Sequence, residues 1–387
     1  MRQTKRRGRW PRVLGCLALI GILAASGMMA WPVVAARLRG PAPPEVAPGG
    51  IFRGDLRHTG VYPSDQVPGG PQPLWAFTTG APVSASPVVG NGLVYVSSGD
   101  SLLYALDAFT GNEVWKVKAP AGVFGPPTFV GDTIYVGCSG GDLFALKAES
   151  GETVWRFTNP AGIVSAPAVT ENAVYVGSRD GRLYALDAKT GSKRWSLETK
   201  GMVLSSPAVS GGVVFVGSGD GGLYAVTAKT GKLKWRFQAG GGISSSPALS
   251  ARLVYFGSLD GRVYAVSVTT GREQWHYDTG QMFFASPAVD DKTVYIGDTY
   301  GDLYALDARS GTAKWRFDTH NAIYSSPALA AGTLFFGDYH GDFFALDAQA
   351  GQERWRYETK EGIFSSPTIV DGTVYFGGND GKVYAFK

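Results

Sequence analysis

Chemistry on a protein surface needs acids, bases, nucleophiles or metal ligands at workable spacing, and this sequence supplies few. Its four histidines, His58, His276, His320 and His340, keep no metal-ligand spacing, and neither a Gly-x-Ser-x-Gly turn nor a glycine-rich phosphate loop occurs. The two cysteines, Cys16 and Cys138, lie far apart. Cys138 stands where sister segments carry Ser178, Ser218 and Ser258. A small buried thiol is the expectation there, because a reactive one needs a partner such as histidine. Without a disulfide pair, cysteine usage assigns no redox compartment. What remains is a set of departures from an internal repeat. Asp298 and Asp338 replace a common serine, and Tyr300 and His340 replace the aspartate of the turn that follows. Phe284, His320 and Tyr324 lie in the connections nearby. Aromatic and acidic side chains of this kind suit a peptide or sugar site. Serine at 298 and 338 would restore the sister sequence, with little expected effect on folding. No catalytic residue, metal site or cofactor is assigned.

The repeat that defines these departures is measured by tryptophan. Trp75, Trp115, Trp155, Trp195, Trp235, Trp275, Trp315 and Trp355 keep a constant step of 40, as do prolines from Pro87 to Pro367. No insertion or deletion interrupts the series. A period near 40 residues with turn signals every 8–12 is that of four-stranded propeller blades. In the third copy, residues 163–169, 173–178, 182–187 and 192–199 read as four strands. Asp180-Gly181 gives a two-residue type I′ hairpin signal, and Thr190-Gly191 a second turn. Proline in the first strand fits an innermost strand whose free edge faces the axis.

Tryptophan on the outer strand reads as packing of each blade on its neighbour, a structural docking role for all eight. After Pro367 only two strands follow, whereas a spare strand surrounds Trp75 before the first inner strand. The ring therefore closes through its ends, which removes a free sheet edge. The expectation is an all-β, eight-bladed propeller of four-stranded antiparallel blades over residues 73–387, monomeric, preceded by a transmembrane helix.

The sequences Ala185-Leu186-Asp187, Thr190-Gly191 and Trp195, with Ala105-Leu106-Asp107, Thr110-Gly111 and Trp115, resemble the tryptophan-docking motif of pyrroloquinoline quinone (PQQ)-like repeats. Phe52–Gly60, "FRGDLRHTG", is similar to the segment that leads into such propellers. The resemblance covers about 335 residues. It implies one of two classes. Quinoprotein alcohol dehydrogenases of this fold carry a vicinal cysteine pair, calcium ligands and an acidic base on long insertions, none of which the sequence matches. The other class is the non-enzymatic scaffold typified by the outer-membrane assembly factor BamB. The absence of a Trp-Asp dipeptide disfavours WD40 repeats.

Residues 1–12 form a basic tail, 13–36 an uncharged run of 24, and 37–72 a tether with the proline-rich "PAPPEVAP". The first 40 residues hold eight basic side chains and no acid, so the 36 Lys and Arg against 32 Asp and Glu become 28 against 32 without them. The remainder is mildly acidic, and no basic patch suggests nucleic acid. A run of 24 exceeds both the roughly 20 residues a span needs and the core of a cleavable signal. An uncleaved anchor with the propeller outside the cytoplasm is favoured; a signal cleaved near Met28-Met29-Ala30 is the alternative. "VLGC" at 13–16 precedes the apolar run, where a lipoprotein box would follow it. Arg53-Gly54-Asp55 spells an integrin tripeptide but reads as part of the lead-in segment. The sequence thus points to an envelope-anchored scaffold that binds envelope proteins or peptides, with a secreted quinoprotein-like oxidoreductase using PQQ as the alternative.

Overall fold

The structure is a computed structural model that describes residues 50–120, 125–159 and 161–387. The expected tail, anchor and proline-rich stretch up to residue 49 lie outside the described residues. Among the described ones no helix is long and apolar enough to cross a membrane. The described strands form eight four-stranded antiparallel sheets, each ordered from a short inner strand to an outer one. In blade six these are Ala288–Val289, Thr293–Gly297, Asp302–Asp307 and Ala313–Asp318.

Blade eight is assembled from both ends of the propeller. Thr368–Val370, Thr373–Gly377 and Lys382–Phe386 are joined by Pro73–Thr78 as outer strand, with Trp75 opposite Ala385 and Phe77 opposite Val383. Core clusters form between successive blades rather than inside one. Tyr175, Leu183 and Ala185 of blade three, for example, pack on Val214, Val216 and Tyr224 of blade four.

The tryptophan spacing has a geometric cause. In seven of the eight repeat tryptophans the indole Nε1 donates to a backbone carbonyl 33 residues ahead, as in Trp155 to Ala188 at 3.0 Å and Trp275 to Ala308 at 3.2 Å. For Trp355 the carbonyl comes from Pro68, at 3.1 Å, in the segment leading to Pro73–Thr78. In most blades the same carbonyl also accepts a tyrosine hydroxyl, Tyr135 for Ala188 and Tyr255 for Ala308. The ring lies flat on the turn glycine of the next blade. A Cβ added at Gly191 would sit 2.6 Å from the Trp155 ring, and φ there is 70°. Only glycine meets both demands.

Two local expectations change. The inner strand of blade three is Ala168–Val169, not 163–169. Pro167 has no N–H for a ladder, and Ile163 instead donates its N–H to Cys138 O of the preceding blade at 3.0 Å. The Asp180-Gly181 turn has positive φ at Gly181 alone (80°), with Gly181 N–H on Ser178 O. It is a three-residue loop, a type I turn closed by a left-handed glycine, rather than type I′.

Candidate functional site

The inner strands leave backbone N–H groups facing the axis, and residues 50–62 take them up. The carbonyls of Gly50, Leu56, Arg57, Thr59 and Gly60 accept from Phe129, Val209, Leu249, Val289 and Leu329, each two residues beyond a blade's proline. The segment coils tightly enough because Asp55 folds it from within, accepting the Arg57 and Thr59 N–H groups and the Thr59 hydroxyl. Positive φ at Arg53, Gly54, His58 and Gly60 completes the coil.

Its side chains reach the proline carbonyls one layer up. Arg53, 2% exposed, donates from Nη1 to Pro327 O at 2.7 Å and from Nη2 to Pro287 O at 2.6 Å. Tyr62 Oη donates to Pro367 O, and His58 bonds to the Pro247 carbonyl. Burial pushes the Arg53 guanidinium down to about 10 and holds the His58 imidazole down at about 3, with Arg53 adding to the latter. The Arg-Gly-Asp tripeptide is thus a plug in one end of the axis, its arginine inaccessible to a receptor.

The other end carries the blade connections and the turns between second and third strands, which bond to each other as in Tyr339 N–H to Ala322 O at 2.8 Å. Here an aromatic cluster spans blades six to eight. The Tyr324 ring lies 5.7 Å from Phe284, 5.1 Å from Phe364 and 6.2 Å from Tyr339, and Tyr339 stacks on Phe364 at 5.8 Å. Tyr339 is 59% exposed, Phe284 38%, and Met282 is exposed beside it. Tyr300 (65% exposed), His320 and His340 stand on the same turns and connections without joining the rings, His320 bonding to Asp318.

Asp298 and Asp338 are elsewhere: both are fully buried beneath the turns. Asp298 Oδ1 accepts the N–H groups of Tyr300, Gly301 and Asp302, and Oδ2 accepts the Tyr304 hydroxyl. In blade three that work is done from the turn itself, where Asp180 accepts the Arg182 N–H and the Tyr184 hydroxyl. The serine-to-aspartate change is therefore one half of an exchange. Moving the carboxylate two residues back keeps the turn bonded and frees its tip for Tyr300. Blade seven repeats the exchange, with Asp338 Oδ1 on the Gly341 and Asp342 N–H groups and His340 at the tip. Phe344 replaces the tyrosine there, and among the described residues Asp338 Oδ2 has no hydrogen-bond partner. Burial raises the pKa of both aspartates.

The expectation that serine is harmless at these positions is corrected accordingly. Asp298→Ser should lower stability by about 3 kcal/mol in urea melts, since several buried donors lose their acceptor. Adding Tyr300→Asp should recover most of the loss. A neutral single variant would show that the carboxylate does not hold the turn.

Tyr339, Phe364 and Met282 were not anticipated from sequence. Phe364 was within reach, because Phe284, Tyr324 and Phe364 are three successive aromatics at the 40-residue step, at a position that holds Ser84, Phe124, Val164, Leu204 and Ser244 in the other copies. Among the described residues no group of three His, Cys, Asp or Glu could hold a metal ion, and the one cysteine, Cys138, is buried. These residues do not fit a PQQ and calcium site of the vicinal-cysteine kind.

Eight four-stranded blades, tryptophan docking onto a Thr-Gly or equivalent turn, and closure through the N-terminal strand define the class: the chain is an eight-bladed β-propeller, and its repeats are similar to PQQ-like ones. Its first half matches the family described as outer membrane protein assembly factor BamB, over residues 68–160 and 125–207. Residues 208–387 match the family described as beta-alanine-activating enzyme, beta-propeller. No curated protein matches the chain in sequence. Among solved structures, BamB from Moraxella catarrhalis is similar with a TM-score of 0.73 and 19% identity, over 82% of this chain and 99% of that one. The quinohemoprotein alcohol dehydrogenase from Comamonas testosteroni gives 0.78 and 17%, over 93% and 84%. The computationally designed Ika8 protein gives 0.74 and 18%, over 81% and 99%. An assembly factor, a dehydrogenase and a designed protein share the architecture, so the fold does not decide the function.

Proposed function

We propose that the chain is a membrane-anchored, extracytoplasmic propeller that acts as a non-catalytic binding or assembly scaffold for envelope proteins or peptides. The observation that carries this reading is the solvent-facing cluster of Phe284, Tyr324, Tyr339 and Phe364. Aromatic rings held rigid by one another and left open to water are typical anchors of a protein interface. The match of the first half to the BamB family supports the reading, as does the 24-residue uncharged run behind a basic end.

Photo-crosslinking in intact envelopes tests it. A benzophenone side chain at position 284 or 364 should give discrete protein adducts, and one at exposed Leu233 on blade four should not. Tyr339→Ala with Phe364→Ala should weaken capture roughly thirty-fold, about 2 kcal/mol, at an unchanged melting temperature. Adducts equal at 284 and 233 would defeat the assignment. Dye-linked alcohol oxidation after addition of PQQ and calcium would defeat the non-catalytic reading as a whole.

A further inference from the structure

Just before each inner strand, a serine ring encircles the axis. The N–H of Ala166 donates to Ser206 Oγ at 2.9 Å, and the relay continues from Ser206 to Ser246, Ser286, Ser326, Ser366 and Ser86, blade to blade. Two of its eight links are missing, because Pro126 has neither a hydroxyl to receive the Ser86 N–H nor an N–H of its own, and Ala166 has no side-chain oxygen. All six serines act only as acceptors in these bonds, so each keeps a hydroxyl hydrogen with no acceptor among the described residues. They face the lumen: their exposure is 4–7%, against 0–1% for the neighbouring series Ser165, Ser205, Ser245, Ser325 and Ser365.

One residue further along the strands lies the Arg53 guanidinium. Among the described residues it makes no ion pair, Asp55 acting on it only at longer range; its hydrogen bonds go to the Pro287 and Pro327 carbonyls, and its Nε is buried without a hydrogen-bond partner. A buried cation without a counter-ion is costly. Unspent O–H donors beside it offer a negative ion coordination without another desolvated acceptor.

We infer that the lumen at the serine ring binds a small monovalent anion of halide size, coordinated by the serine hydroxyls and neutralising Arg53. The second orphan of the layer, His58 Nδ1, is an acceptor while the ring is neutral, so the ion lies on the Arg53 side, towards blades six and seven. The inference is independent of the aromatic mouth.

Bromide is the probe. Crystals of the full chain grown with sodium bromide should show an anomalous peak on the axis in contact with serine oxygens. In detergent, exchange of 100 mM gluconate for bromide at equal ionic strength should raise the melting temperature by about 4 °C. The rise should vanish in Ser286→Ala/Ser326→Ala, the serines next to the two prolines that hold Arg53, and persist in Ser286→Thr/Ser326→Thr, which keeps the hydroxyls. If the alanine pair does not fold, the anomalous signal decides alone. Axial density without anomalous signal, together with equal melting temperatures in the two salts, would mean a water column only and overturn the inference.

Discussion

A chain that begins at residue 81 should fail to fold as a stable monomer, whereas one that begins at residue 49 should melt like the full-length protein. The first truncation removes Pro73–Thr78 from its register against Lys382–Phe386 and takes away Trp75, which caps Ala108 O. It also deletes Pro68, the acceptor of Trp355, and the axial plug. Loss of one such tryptophan alone costs about 3–5 kcal/mol, a large part of a typical domain's net stability. The exposed edge of Lys382–Phe386 should then pair between molecules, visible as aggregation. A chain that begins at residue 63 keeps the outer strand but not the plug and should fall between the two. Equal melting temperatures for the chains starting at 49 and 81 would rule out closure by this strand.

Acid should loosen the axis through His58. Its folded pKa, about 3, lies below the ordinary value of 6.5 because a buried imidazole next to Arg53 resists charging. Between those values the unfolded chain binds a proton that the folded chain does not. Stability is therefore full above pH 6.5 and is lost as pH falls towards 3, by up to about 5 kcal/mol. Melting temperatures of wild type and His58→Gln at pH 7.5 and 4.5 provide the check. The fall on acidification should be larger in wild type by about 3 kcal/mol equivalent, whatever the surface carboxylates contribute to both. Parallel falls would show that His58 does not resist protonation in the fold.

The sequence made the architecture legible because one physical demand was repeated eight times: an indole needing a carbonyl and a glycine floor on the next blade. Such a demand fixes spacing, and spacing is visible in one dimension. The plug was not legible. "FRGDLRHTG" occurs once, so no sister copy reveals that Arg53 and His58 point inward, and its tripeptide suggests a surface role. The site was half legible. Of the candidates that position in the repeat singled out, Phe284 and Tyr324 fall in one aromatic cluster. Position gave no direction for Asp298 and Asp338, which lie under the turns rather than on them. Aspartate gained at 298 with aspartate lost at 300 is a compensation, and the pairing, rather than either residue alone, was the signal. Two-residue and three-residue glycine turns also share the same letters, which is why Asp180-Gly181 misled.

Closure by Pro73–Thr78 also sets an order of events. The outer strand of blade eight precedes its partner Lys382–Phe386 by some 300 residues, and residues 50–62 bond to strands spread across blades two to seven. Neither can find its place until most of the polypeptide is available. Blades one to seven can each pair as a local meander and pack on the next in sequence, but the last joint is a late, long-range search of the kind that slows folding. Until it succeeds, Trp355 and the edge of Lys382–Phe386 stay open to the surroundings. The nascent molecule is thus most vulnerable at the seam.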